Sequence, residues 1–435
     1  MSFFIKPTDQ FRVQIQIEPT QNPQEMQHLI KTFAALLVVI TMARCGQSDQ
    51  ESSQSKAKKI HQAVLTVDTH TDTPLNLRDP EFDLGKRHNP DSSYSRIDLP
   101  RMEEGHMDAS FFAVYVGQRE RTPQGHHEVH NRALKLFESV YQSVEKYPEK
   151  ADLATLPEDA YNLEKQNKRA IYIGVENGYA LGGELANVKK FYDMGARYIT
   201  LCHTSNNDLC DSSTDDEGPE HNGLSSFGKD VVKKMNELGM IIDVSHISDK
   251  SFYDVLEISE DPIMASHSCA RALRDHPRNL SDEMLLALKE NGGVIQICLV
   301  SDYLRKPEPQ PKRDSAFAAL REKYNNFNDL TEEEMAKARK EWRLLHRKYP
   351  RKLAHVTDIV DHIDHVVKTI GVDYVGIGTD FDGGAQVNGC RDVSEIPNIT
   401  RELVKRGYTR EEIEKIWGGN FMRVFREING ATKEG

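Results

Sequence analysis

Four histidines and three carboxylates sit in short motifs scattered along the chain: His70 and Asp72 in VDTHTDTP, Glu176 in GVENG, His203 in LCHTSNN, His246 in IIDVSHIS, His267 in ASHSCARAL and Asp380 in GIGTDFDGG. Imidazole and carboxylate donors without a thiolate suit zinc, or manganese or cobalt in its place. Side chains alternate along an extended segment, so His70 and Asp72 face the same way and both can bind one ion. Glu176 has two oxygens and can bridge to a second ion held by His246 and His267. Two ions about 3.5–4 Å apart can share a hydroxide acidic enough to attack at neutral pH. Taken singly, each residue is better explained as a cap or a hydrogen-bonded core group than as a ligand.

The elements that must position these groups are strands. Short β-rich runs alternate with helical patterns: AVLTVDTH (63–70), ASFFAVYV (109–116), AIYIGVE (170–176), YITLCH (198–203), MIIDVSH (240–246), PIMASHS (262–268), GVIQICLV (293–300) and YVGIGTD (374–380). Between them run segments such as GKDVVKKMNELG and SDEMLLALKENG, several opening on Ser or Asp and closing on Gly, as helix caps do. Eight such units predict an α/β protein of the (β/α)8 barrel type, whose catalytic groups stand at the C-terminal ends of the strands. The candidate ligands end six of these strands. Burying that many ionisable groups together is costly without a strong partner, and metal ions supply one.

Other histidines are assigned surface or packing roles: His126, His127 and His130 in GHHEVH, and His362 with His365 on the last long helix. A charged insertion, about 306–352, precedes the eighth strand and carries LTEEEMAKARKEWRLLHRKY. It reads as a lid, a dimer contact or a solvated helix on the loop face.

The chain has 435 residues, a net charge of -12 and six cysteines. Acidic balance makes nucleic acid and anionic membrane surfaces poor partners. The cysteines have no CxxC spacing, which excludes a thiolate zinc ribbon. Cys202 and Cys210 form either a bridge or two buried thiols. Phe33 to Met42 is too short an apolar run to span a bilayer and reads as a signal hydrophobic region. Cys45 behind it matches a lipoprotein lipidation site, although Arg44 stands where a small residue is expected. A start at Met26 would place this signal (26–45) at normal distance, leaving 1–25 as an upstream extension, 46–58 as a polar linker and 59–430 as the barrel. An exported, periplasmic or cell-envelope protein is expected, in contact with membrane only through its anchor or signal.

The ordered set VDTHTD, GVENG, LCHTSNN, IIDVSHIS, ASHSCARAL, HPRNLSDEML and GIGTDFDGG resembles the membrane (renal) dipeptidase family of zinc peptidases, and the likeness runs from about Lys59 to Phe425. It implies zinc-dependent hydrolysis of dipeptides with two Zn2+ per chain and a homodimer. It implies that His70 and Asp72 bind the first zinc, Glu176 bridges, and His246 and His267 bind the second. His203 and Arg278 fall on substrate-binding positions and Asp380 on the catalytic carboxylate. In the chemistry so implied, the metal-bridging hydroxide attacks the carbonyl, the metals and a protonated His203 stabilise the oxyanion, Asp380 moves a proton to the leaving amine, and Arg278 clasps the C-terminal carboxylate. Asp382 is expected to be a structural hydrogen-bonding residue. One departure concerns specificity: where the family carries an Asn-Phe-Tyr type segment after the seventh strand, this chain has Cys298, Leu299 and Val300, with Tyr303 beyond. The competing readings are another binuclear amidohydrolase, such as a deaminase or phosphotriesterase, whose first motif is HxH rather than HTD, and a non-catalytic surface-anchored binding lipoprotein, which predicts a broken ligand set.

Overall fold

Runs that are apolar on both faces need cover on both sides, and in this chain eight of them form a parallel sheet that curls on itself. The computed structural model describes residues 54–89, 95–324 and 332–431. The upstream extension, the signal segment and Cys45 lie outside the described residues. From Ala57 on, the chain folds as one unit. Among the described residues, no helix is long and apolar enough to cross a membrane.

The barrel strands are β1 (Val67–Thr71), β2 (Ala109–Tyr115), β3 (Arg169–Glu176), β4 (Ala196–Thr200), β5 (Ile241–Asp243), β6 (Met264–Ser268), β7 (Val294–Ile297) and β8 (Val375–Ile377). Each pairs in parallel with the next in this order. The seam between β8 and β1 is drawn together just past the strand ends, where Asp380 N donates to His70 O at 3.0 Å and Asp72 N to Phe381 O at 2.8 Å. A short strand, Ala151–Leu153, pairs with the start of β3 and was not expected from sequence. Several strands stop short of their expected ends, so His203, His246 and Asp380 stand on the loops that follow. At His246 and Asp380 the reason is local backbone geometry, φ being +73° and +61°, which no ladder accepts.

Helices cover the outside with the expected caps. Ser225, Ser248 and Ser281 each accept a backbone N–H from the first turn of their helix, and Gly239 and Gly292 close two helices in left-handed conformation. Each cap contributes about 1 kcal/mol. The barrel floor is apolar and aromatic. Phe111 stacks on Tyr172 at 4.8 Å and meets Phe421 of the C-terminal helix edge-on at 5.3 Å. That floor is rigid support for a polar layer above it.

The insertion forms two helices, Pro311–Lys323 and Glu332–Lys348. They carry a small core of their own around Leu320, Tyr324 and Ala338. The five cysteines among the described residues are buried free thiols, so Cys202 and Cys210 are not bridged.

Candidate metal centre at the barrel mouth

Three overlapping groups of ligand atoms, each within 4.8 Å of one another, stand at the C-terminal ends of the strands: His70, Glu176 and His267; Glu176, His203 and His246; and His70, Asp72 and Asp380. Glu176 is the hub. Its Oε2 lies 3.4 Å from His70 Nε2, and its Oε1 lies 3.2 Å from His246 Nε2 and 3.5 Å from His267 Nε2. The two histidine Nε2 atoms are 2.9 Å apart. His203 is more peripheral, 3.9 Å from Glu176 Oε1. All the ligands expected from sequence therefore converge on one spot.

Three of the atoms aimed into this spot lack partners. His70 Nε2, Asp72 Oδ1 and Glu176 Oε2 are buried without a hydrogen bond. A buried polar atom left unpaired costs about 1–3 kcal/mol, more if charged. The donor set fits a pair of divalent cations, which would satisfy these atoms and offset three neighbouring carboxylates.

Electrostatics reflect that crowding. Burial, reinforced by the charge of Glu176, pushes the Asp72 carboxyl well up. Burial likewise lifts Asp380, to about 7, with His70 and Arg278 pulling the other way. Burial opposes charge on His70, yet Glu176, Asp72 and Asp380 together lift it to about 10. Burial holds His203 below the ordinary histidine range. That burial disfavours the protonated ring expected from sequence.

Behind the ligands lies a layer that sequence reasoning missed. His70 Nδ1 meets the Tyr198 hydroxyl at 2.8 Å, and Tyr198 can reach it because residue 174 is glycine: a Cβ there would sit 2.0 Å from the phenol ring. Ser266 Oγ donates to Asp243 Oδ2 at 2.6 Å and so accepts from His267 Nδ1 at 2.8 Å. That fixes the tautomer with the His267 Nε2 lone pair turned to the site. Asp68 plays a matching part at the β1–β8 seam, accepting from Thr379 N at 2.8 Å and Thr379 Oγ1 at 2.6 Å. The available signal was an aspartate inside an otherwise apolar strand, in LTVDTH and IIDVSH.

The GTDFDGG turn is shaped around two carboxylates. A Cβ on Gly383 would fall 2.0 Å from Asp380 Oδ1 and 2.1 Å from Asp72 Oδ2, so only glycine fits. Asp382 turns away and accepts from Thr73 Oγ1 at 2.9 Å and from Arg96 N. Arg278 is buried; its Nη2 donates to His267 O at 2.9 Å and its Nε is unpaired. The Tyr303 ring lies against it, with the guanidinium carbon 5.3 Å from the ring centroid. Cys298 places its thiol 3.9 Å from Asp380 Oδ2. The histidines set aside by sequence are engaged elsewhere: His126 with Asp208 at 2.8 Å, His130 with Ala180 O, and His365 with Asp282.

The family model for membrane dipeptidase (peptidase family M19) matches residues 54–434. The chain belongs to this family. It is a peptide-bond hydrolase of the dipeptidase kind and, as the family is, a metallopeptidase. Its relatives include Dipeptidase tcpJ of Claviceps purpurea, 33% identical over 354 residues that cover 80% of this chain and 73% of the relative. Among solved structures, the probable dipeptidase PvdM from Pseudomonas aeruginosa is 31% identical with a TM-score of 0.76, covering 88% of this chain and 99% of that one. A metallo peptidase from Rhodobacter sphaeroides, solved with a phosphinate mimic of the dipeptide L-Ala-D-Ala, shares the fold at 21% identity and a TM-score of 0.67, over 84% of this chain and 99% of that one. Membership of the dipeptidase family sets aside the deaminase, phosphotriesterase and non-catalytic readings.

Proposed function

We propose that this dipeptidase works with two zinc ions, His70 and Asp72 holding one, His246 and His267 the other, and Glu176 shared between them. The observation that carries this reading is the convergence of both sets of donor atoms on Glu176, with His70 Nε2, Asp72 Oδ1 and Glu176 Oε2 buried and unpaired. Bound there, divalent ions would polarise the scissile carbonyl and make water acidic enough to serve as nucleophile at neutral pH.

The chain's own residues bind and move protons around that chemistry. Arg278 has an unpaired Nε and a guanidinium braced by Tyr303, and it takes the substrate's C-terminal carboxylate. Tyr303 thereby supplies an aromatic wall that the CLV segment lacks. His203, neutral, donates a hydrogen bond to the carbonyl oxygen as charge builds on it. Asp380, poised near 7, accepts a proton at its carboxylate and passes it to the leaving amine nitrogen. With the C-terminal carboxylate clasped by Arg278 one residue from the scissile bond, dipeptides fit and chains extended at that end do not. For the segments outside the described residues, the reading is export with a lipid on Cys45, testable by metabolic labelling with a radioactive fatty acid and its loss in Cys45→Ser.

The test is hydrolysis of a dipeptide panel of mixed chirality before and after chelation and zinc restoration. Activity should vanish with the metal and return with zinc; folded, zinc-loaded protein that cleaves none of the panel defeats the reading. In the same assay Asp380→Asn should keep both metals and lose about 10²–10⁴-fold in kcat. Undiminished turnover in that variant would remove Asp380 from the mechanism.

A further inference from the structure

Opposite Arg278 the mouth carries a concentration of positive charge that the reaction above does not use. Arg78 closes the turn Thr73–Arg78 that follows β1, Arg119 lies on the loop after β2, and Arg132 stands on the helix Pro123–Glu145 that packs against that turn. Arg78 and Arg119 are exposed and Arg132 is half-buried. None of the three has a hydrogen bond or ion pair among the described residues, and Arg132 Nε is buried without a partner. Elsewhere on this surface arginines are paired: Arg121 with Glu220, Arg271 with Asp249, Arg406 with Asp361 and Asp364. What sets Arg132 apart from the exposed arginines that also lack a partner is burial, since its unpaired Nε is shut away from water.

Their neighbours place them beside the reacting groups. Tyr115, the last residue of β2, sets its hydroxyl 3.5 Å from His203 Nδ1 and meets that ring edge-on at 4.8 Å. The helix that carries Arg132 packs both on β2, which ends at Tyr115, and on the turn that carries Arg78. Arg132 is pressed in turn by burial and by the like charges of Arg78 and Arg119. Like charges gathered in a partly buried place without a counter-charge raise the energy of the fold, and such arrangements mark binding sites.

Topology supplies the direction. Arg278 follows β6 and this cluster follows β1 and β2; in an eight-stranded barrel β2 and β6 face each other across the mouth. A dipeptide whose carboxylate is held at Arg278 and whose peptide bond lies at Glu176 turns its first residue towards Tyr115 and Arg132. This orientation rests on the function proposed above. We infer that Arg132, flanked by Arg78 and Arg119, is a specificity-determining residue that selects dipeptides whose N-terminal residue carries a side-chain carboxylate. The cluster also gives a protein of net charge -12 a local field that draws such an anion in.

The test compares kcat/KM for Glu-Ala, Asp-Ala, Gln-Ala and Ala-Ala on the zinc-loaded enzyme and on Arg132→Gln. The wild-type ratio of Glu-Ala or Asp-Ala to Gln-Ala should be at least about tenfold, carried mainly in KM and shrinking with salt. Arg132→Gln should bring the ratio close to one, and Arg119→Gln should reduce it less, because Arg119 is exposed. The two substrates of each ratio meet the same enzyme sample, so a partly unfolded variant does not move it. A preference shown by Asp-Ala alone or Glu-Ala alone supports the site and fixes its depth. Equal rates on acidic and neutral dipeptides, or an undiminished ratio in Arg132→Gln, overturn the inference while leaving the dipeptidase reading intact. Cleavage of no dipeptide at all defeats that underlying reading, and the inference falls with it.

Discussion

Two kinds of buried histidine occur in this barrel, and they differ in what their ring nitrogens meet. His61 has both satisfied, Nδ1 by the Thr400 hydroxyl at 2.7 Å and Nε2 by Gly105 O at 2.8 Å. His362 likewise accepts from Ala270 N at 3.0 Å and meets Leu304 O at 2.9 Å. Each is a neutral cross-link between elements. At the mouth, His70 keeps an unpaired Nε2, and the Nε2 atoms of His246 and His267 face each other and a carboxylate. Burial alone does not separate the two kinds. Completed hydrogen bonding does, because a buried nitrogen without a partner survives only where a ligand repays it.

Exchanging one residue of each kind gives the largest contrast. His267→Ala should lose metal and lower kcat/KM by at least about a thousandfold, since under the proposed ligand set one ion loses a ligand. His362→Ala should keep its metal and most of its activity while unfolding about 1–3 kcal/mol more easily, because Ala270 N and Leu304 O are left unpaired. Metal content by atomic emission and denaturant melts decide it. Two metals retained in His267→Ala would break the distinction.

The next effect is in pH. Burial lowers His61 to about 4, so between pH 6.5 and 4 the unfolded chain binds a proton that the folded one refuses. Stability attributable to His61 is complete above about 6.5 and falls by about 3 kcal/mol as pH drops through that window. Asp108, lifted to about 6 by burial, acts in the opposite sense over part of the same range. The readout is therefore the difference between wild type and His61→Gln, whose amide can replace both bonds. The variant should lose less stability on acidification. Parallel curves would mean that the ring is not held neutral.

Sequence made the ligands legible because each ends an apolar run, and eight such runs allow few architectures. It left the supports hidden. Tyr198 and Asp243 lie inside strands, where a tyrosine reads as core and a lone aspartate as an irregularity, and only the closed barrel shows that they point at His70 and, through Ser266, at His267. His362 was given a surface or packing role, and its helix buries it in packing against the loop after β6. Strand ends were misplaced at His246 and Asp380, where the backbone is left-handed. Nothing in the spacing of Arg78, Arg119 and Arg132 along the chain reveals that the fold gathers them.

The smallest effect tests whether the hidden supports belong with the mouth histidines or with the structural ones. Tyr198→Phe removes one hydroxyl and preserves the ring that fills the space opposite Gly174. If Tyr198 only cross-links, as Thr400 does for His61, the loss should appear as stability, about 1 kcal/mol, with metal affinity unchanged. If it orients His70 as a ligand, zinc affinity measured by chelator competition should fall about 10–100-fold while the zinc-saturated melt barely moves. The second outcome is expected, because His70 has its other nitrogen turned to Glu176, and a ring free to rotate about that contact would no longer present it.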